Sequence, residues 1–303
     1  MILCCGEALI DMLPVETPQG TGFVPHAGGA VFNTAIALGR LGVETGFFSG
    51  LSSDFFGDQL RTGLSAAGVD ASLCVTSDRH STLAFVRLVD GQASYAFHDD
   101  NTAGRMLTPD DLPQTGAEAL FFGGISLVSE PCGSAYEALM LREAGKRVTM
   151  IDPNIRPGFI TDERAYRARI DRMTAAADLI KISAEDLDWL AKGAPDALVQ
   201  RFLAQGTAAV FITDGGQGAR AVTRAGTLAE PAKSVKVVDT VGAGDTFNAG
   251  VLASLSRSGA LSRAALRAID AATLTAALRM GIATAAVTVS RAGANPPWAH
   301  ELV

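Results

Sequence analysis

The 303-residue chain lacks the marks of several protein classes. It carries no basic block, and its net charge is −7. Nucleic-acid binding draws on clustered Lys and Arg, so no nucleic-acid partner is expected. No run of 18 apolar residues occurs. The Ala-rich stretch "ATLTAALRMGIATAAVTV" is interrupted by Arg279 and several threonines, so no membrane span is expected. The start, "MILCCGEALIDML", has neither the positive residues nor the cleavage site of a secretory signal and reads as a buried first strand. Cysteine is scarce: Cys4, Cys5, Cys74 and Cys132. Adjacent Cys4 and Cys5 point to opposite faces of a strand and cannot chelate one metal together. All four are expected to be reduced core thiols of a cytoplasmic protein. The phosphate-binding pattern G-x-x-x-x-G-K-[ST] and the protein-kinase catalytic loop are both missing. No G-x-G-x-x-G opens the first helix, which disfavours a dinucleotide-dependent dehydrogenase.

What is present is a large apolar fraction, 48%, in a chain long enough to bury a sizeable core. Helical and strand-like segments alternate. "AVFNTAIALGRLG" predicts a helix ending at Gly42, "VETGFFSGLS" a strand, and "FGDQLRTGLSAAG" a helix ending at Gly68. The alternation continues through strands at "ALFFGGISL", "RVTMIDPN", "DLIKIS" and "AAVFITDGG", with helices at "CGSAYEALMLREAG", 163–176, "AEDLDWLAK" and 196–205. The strands are nearly all apolar, as in a parallel sheet covered by helices on both faces. Residues 12–29 and 81–100 break the rhythm: both are extended, and Asp90-Gly91 signals a hairpin. They form either an edge decoration of the main sheet or a lid over a site. No repeat or linker is visible, so one catalytic body of residues 1–303 is expected.

The stretch "KSVKVVDTVGAGDTFNAG" carries the chemistry. "KSVKVVD" reads as a strand and "TFNAGVLASLSRSG" as a helix, which makes 240–245 a strand-to-helix loop. Glycines there let N–H groups converge on an anion, and the helix dipole helps. Asp245 is then either a helix-capping acid or a proton acceptor beside that anion hole. Phosphoryl transfer uses the second arrangement, with phosphoryl oxygens on N–H donors and an in-line hydroxyl facing a carboxylate.

At this point the chain resembles the ribokinase-like (PfkB-type) carbohydrate kinases. "DTVGAGDTFNAG" looks like their C-terminal signature and "GGAVFNTAIALGRLG" like their N-terminal one, in the right order. The resemblance covers the whole chain. It implies a three-layer α/β/α body with a mostly parallel sheet and a small β lid from about 12–25 and 81–103. It also implies ATP with Mg²⁺ and K⁺, and a homodimer formed through the lids. Asp245 would be the general base, and Gly242, Ala243 and Gly244 the anion hole. Asp11, placed at the end of the first strand, would hold sugar hydroxyls with Gly28, Gly29 and Asn33. In "DPNIRP", Asn154 and Arg156 would reach the sugar or a phosphate. Lys181 and Ser183 of "KISAED", with Thr213, Gly215 and Gly218 of "TDGGQG", would border the nucleotide. Asp186 stands where many members carry Glu and would order Mg²⁺. Asp239 and the carbonyls around Gly293 would hold the potassium ion, and 290–298 would lie near the adenine.

Several strings look most like fructokinases, which makes fructose the first expected sugar. 2-Keto-3-deoxygluconate is second, with Arg87, Arg105 and Arg156 as candidates for its carboxylate; a ribose or nucleoside comes next. The rival from another class is a catalytically silent sugar sensor, and an intact Asp245 argues against it.

Overall fold

The computed structural model describes residues 1–89 and 92–302, with the side chains of 87–95 outside that set. The chain opens with β1 (Ile2–Cys5), β2 (Leu9–Thr17), β3 (Gly20–Gly28), α1 (Ala30–Arg40), β4 (Thr45–Phe48), β5 (Gly50–Ser52), α2 (Phe55–Ala66), β6 (Val69–Asp70) and β7 (Val75–Ser77). There follow β8 (Leu83–Val89), β9 (Gln92–His98), β10 (Ala119–Gly123), α3 (Cys132–Glu143), β11 (Val148–Asp152), α4 (Glu163–Ala176), β12 (Leu179–Ser183), α5 (Ala184–Ala191) and α6 (Pro195–Gln205). The chain ends with β13 (Ala209–Thr213), β14 (Ala219–Thr223), β15 (Gly226–Glu230), α7 (Ala243–Arg257), α8 (Arg263–Arg267) and α9 (Ala271–Val289).

Nine strands form the main sheet in the order β15-β14-β13-β12-β11-β10-β1-β4-β6. From β13 to β6 all neighbours run parallel, while β14 and β15 add an antiparallel edge. Successive residues of each strand serve opposite faces. Ile2, Cys4, Phe47 and Phe121 join one core with α1, α7 and α9; Leu3, Cys5, Phe48 and Phe122 join the other with α3, α4 and α6. Each such Phe or Leu contributes roughly 1.5–3 kcal/mol by leaving water. The three-layer expectation holds, and Cys4 and Cys5 part to opposite faces as expected.

α9 is long and apolar enough to cross a membrane by length and composition. Its face with Leu274, Ala277, Leu278 and Gly281 instead packs on α7. The two helices approach at Gly250 and Gly281, where a Cβ on Gly250 would lie 2.7 Å from Gly281 Cα.

The second sheet has the order β3-β2-β8-β9, spanning Leu9–Gly28 and Leu83–His98. The small sheet expected at 12–25 and 81–103 is therefore present with shifted limits. The Asp90-Gly91 turn lies outside the described residues. Three expectations need correction. "VETGFFSGLS" is two strands, because Ser49 breaks the run: its carbonyl accepts from Val75 N–H, and β5 leaves the main sheet to pair with β7. Asp11 is not at the end of the first strand. The chain turns at Gly6, pressed against Val31, and Asp11 belongs to β2 of the small sheet. "KSVKVVD" is not a strand, for the reason given below.

Candidate active site

The carboxyl ends of β1, β10, β11, β12 and β13 share one edge of the main sheet, the edge at which open α/β sheets bind ligands. A cavity of about 460 Å³ opens there, with α7 pointing its N-terminus into it. The approach to α7 corrects the sequence reading of 233–239. Among the described residues no strand pairs with this segment, so its β-branched residues join no sheet. Val237 and Val238 are exposed, and the N–H groups of Val238 and Asp239 donate to Val289 O at the end of α9. Gly242 then takes a left-handed φ of 77° and begins the helix, packed so closely on Ala294 that a Cβ would lie 2.7 Å away. Ala243, Gly244 and Asp245 belong to the first helical turn rather than to a loop. Their N–H groups are among those that a helix leaves without partners in its own ladder. Ala243 N–H makes a long contact to Thr240 O, 3.3 Å.

Asp245 is 7% exposed and does not cap its helix. Asn33 Nδ2 on α1 donates to Asp245 Oδ2 at 2.9 Å, and Thr34 Oγ1 donates to the Asp245 carbonyl at 3.1 Å. Burial pushes the carboxyl up to about 7; the Asn33 hydrogen bond pulls the other way, and the nearby Asp152 charge adds to the rise. A carboxylate with that pKa can take a proton near neutrality.

The cavity brings most of the expected residues together: Asp11, Gly29, Asn33, Asn154, Arg156, Lys181, Ser183, Asp186, Thr213 and the 242–245 turn line it. Asp11 enters from β2 of the small sheet, and burial raises its carboxyl to about 6. Gly28 stands behind it, since a Cβ there would overlap the Asp11 carboxylate. Phe97 of β9 lines the same cavity and stacks edge-on against Phe159, 4.4 Å between centroids, so the small sheet touches the body over the site. Ser183 accepts from Asp186 N–H at 3.0 Å and so caps α5. Asp186 is buried, and burial with the Asp152 charge raises it to about 6. Arg105 is held by Asp100 and Asp99, lines a separate small cavity and does not face this site. The Arg87 side chain lies outside the described residues.

A second cavity of about 500 Å³ adjoins the first and shares Thr213, Thr240, Ala243 and Gly244 with it. Gly215 and Gly218 line this one, beside Val235, Val237, Phe247, Ile282 and Ala286. Residues 290–298, expected near an adenine, do not line it. Asp239 faces neither cavity: its Oδ1 accepts from Val241 N–H at 3.0 Å and its Oδ2 from Gly293 N–H at 2.9 Å. It therefore ties the loop before α7 to the loop after α9. Among the described residues, no group of three or more His, Cys, Asp or Glu is placed to hold a metal.

Sequence reasoning missed three buried polar residues here: Glu7, Asp152 and Asn248. Glu7 follows β1, lines the cavity, and accepts from Ala30 N–H at 2.9 Å and Ser126 N–H at 3.2 Å. Asp152, the last residue of β11, accepts from both Lys181 Nζ and Asn248 Nδ2 at 2.8 Å. A charged residue closing an apolar strand was the available signal for Asp152, since a buried charge requires a partner.

Comparison with known proteins fits this geometry. The model of the pfkB family carbohydrate kinases matches residues 1–301. The chain belongs to that family. It is 55% identical over 274 residues to a fructokinase of Rhizobium leguminosarum bv. trifolii, covering 89% of this chain and 84% of that one. A fructokinase from Xylella fastidiosa with bound ATP superposes with a TM-score of 0.92 at 30% identity, covering 99% and 97% of the two chains. A fructokinase double mutant from Vibrio cholerae O395, bound to fructose, ADP and a potassium ion, gives 0.84 at 25% identity, covering 97% and 93%. The kinase is thus a carbohydrate kinase of ribokinase-like fold.

Proposed function

We propose that this kinase moves the γ-phosphoryl group of ATP to a hydroxyl of fructose, with Asp245 as the general base. The observation that carries this is the place of Asp245: buried, held by Asn33, and on the helix turn shared by two adjoining cavities. One cavity holds polar groups suited to a sugar: Asp11 from the lid, Asn154 and Arg156 from beyond β11. The other is lined mainly by apolar side chains and the glycine turn 215–218, as suits a base and its phosphates. The sugar hydroxyl gives its proton to Asp245 as its oxygen bonds to phosphorus. The N–H groups at Gly242, Ala243 and Gly244 meet the phosphoryl oxygens. The fructokinase relatives support the choice of sugar.

A magnesium ion bound with the nucleotide would neutralise phosphate charge. Such an ion needs only one or two protein carboxylates, and Glu185 and Asp186 at the cavity fit that need. The potassium ion of the Vibrio cholerae enzyme supports a like role here for Asp239 and the backbone around Gly293, although the Asp239 carboxylate already accepts two N–H groups. Four free thiols suit a reducing cytoplasm. Exposed Val15, Phe23 and Val24 on the small sheet support pairing of two copies through the lid, and light scattering of the purified protein should then give a dimer mass.

The deciding experiment is ATP-dependent ADP release with fructose, 2-keto-3-deoxygluconate, ribose, glucose and adenosine, in Mg²⁺ with and without K⁺. Fast turnover on fructose alone is the expected result. Arg156 at the cavity supports one second reading, the ketodeoxy acid, whose carboxylate a guanidinium would hold. Turnover on that substrate alone would move the assignment to it. Sugar binding without ADP release would make the protein a sensor.

A further inference from the structure

We propose that Lys181, aimed by the buried Asp152 and Asn248, supplies the positive charge that meets the phosphoryl group as it passes from nucleotide to sugar. The proposal rests on the kinase reading above. Asp152 and Asn248 are positioning residues in it, because they act through the lysine.

The pair is costly as a stabilising device. The Lys181 and Asp152 side chains are 5% and 2% exposed, with Nζ 2.8 Å from Oδ2. Desolvating two charges consumes most of what their attraction returns, and apolar residues of similar volume often do as well. A buried ion pair on the floor of a cavity therefore asks for a reason beyond stability. Asn248 adds to the cost: its Nδ2 donates to the same Asp152 oxygen, while its Oδ1 is buried with no partner.

The lysine sits at the crossing point. A Cβ built on Gly244 would lie 2.9 Å from Lys181 Nζ, and among the described residues no other cationic group comes within 4 Å of that position. Gly244 lines both cavities, so phosphorus moving between them passes the place where Nζ already stands. An ammonium has three N–H donors. Asp152 takes one, and it is the only hydrogen-bond acceptor of Lys181 among the described residues. Asn248 lies one helical turn beyond Gly244 on α7, so the helix that offers its N–H groups also fixes the anchor of the lysine.

The chemistry balances without a further reactant. The bond from γ-phosphorus to the bridging oxygen breaks, and ADP leaves with the electron pair. The bond from the sugar oxygen to phosphorus forms, and the hydroxyl proton goes to Asp245. Lys181 keeps its protons and donates hydrogen bonds to oxygens whose charge is redistributed in transit.

The test compares wild type with Lys181→Met, Asp152→Asn, the double variant carrying both, and Asp245→Asn. Steady-state ADP release is measured with fructose, and binding of ADP alone and of ADP with aluminium fluoride and fructose is measured by titration calorimetry. Lys181→Met is expected to lower kcat by about 100-fold. Both KM values should stay within about 3-fold, with binding of the fluoride complex weakened and ADP binding kept. Asp152→Asn, which keeps shape but frees the lysine, should lose part of kcat. The double variant removes both buried charges, so it remains foldable if Lys181→Met alone is not. It should be no slower than Lys181→Met, because the residues act as one unit. A folded double variant with wild-type kcat overturns the proposal. So does a large rise in the KM for ATP at constant kcat, which would make Lys181 a ground-state nucleotide ligand. Failure of the kinase reading looks different: wild type itself would release no ADP with any sugar.

Discussion

Asp245 must be an anion to accept a proton, so its surroundings set the pH at which the enzyme works. Burial lifts it to about 7, Asp152 and Glu7 add negative charge nearby, and Asn33 and Lys181 oppose the rise. Below that pH the base is increasingly protonated and inactive. A profile of kcat/KM against pH should therefore climb through about 7 and level off above it. Asn33→Ala removes a hydrogen bond that favours the anion, so the climb should move to higher pH; an unmoved profile would show that Asn33 does not tune the base. Asp245→Asn should bind sugar and nucleotide nearly as wild type does while turnover falls at least about 100-fold. Comparable loss of binding and folding would return Asp245 to a helix-end role. The resemblance of the two signatures to those of the family implied that Asn33 and Asp245 share a site. It did not show that they bond to each other across 212 residues, because that contact is made by α1 packing on α7.

α7 is placed by its contact with α9, and that contact depends on two glycines. A Cβ on Gly250 would overlap Thr284 Oγ1 and crowd Gly281 Cα. Gly250→Val should then cost about 1–3 kcal/mol by overpacking, read as a lower urea midpoint, and lower kcat by tilting the turn that carries Asp245. An unchanged midpoint would mean that the helices separate without strain. At this scale much was legible beforehand. Helices 163–176 and 184–192 lie within a residue of their expected limits, because periodicity and capping act locally. Errors came where tertiary pairing overrides local preference. Residues 233–239 look like a strand and pair with no strand among the described residues. "VETGFFSGLS" is divided between two sheets. β14 and β15, with polar and glycine residues among the apolar ones, passed unnoticed at the antiparallel edge. Asp152 and Glu7 stayed hidden for a related reason, since their partners come from other strands and helices.

Folding gathers acids into one cleft, and the molecule as a whole responds to pH through them. Glu7 is raised by burial, Asp11 and Asp186 reach about 6, and Asp245 about 7. Each folded value lies above the unfolded one near 4, so the native state holds protons that the unfolded chain releases. Their contribution to stability is complete below about pH 4 and is lost as pH rises through 6 to 7. Asp54, Glu137 and Glu143 are held below their usual range by hydrogen bonds and arginines, and they act oppositely, but only as pH falls below about 4. The cleft thus governs the interval from about pH 4 to about 7, which a comparison of pH 5.5 with pH 8 samples. Ligand-free protein should show a urea midpoint that declines across that interval. Asp245→Asn removes the most strongly raised of the three cleft aspartates, so its midpoint should decline less and should exceed that of wild type at pH 8, although it is inactive. Fructose with Mg²⁺-ADP should restore wild type at pH 8 in proportion to occupancy. If Asp245→Asn lowers the midpoint equally at both pH values, the carboxylate is not under strain, and its elevated pKa must be abandoned along with the neutral-pH base it implies.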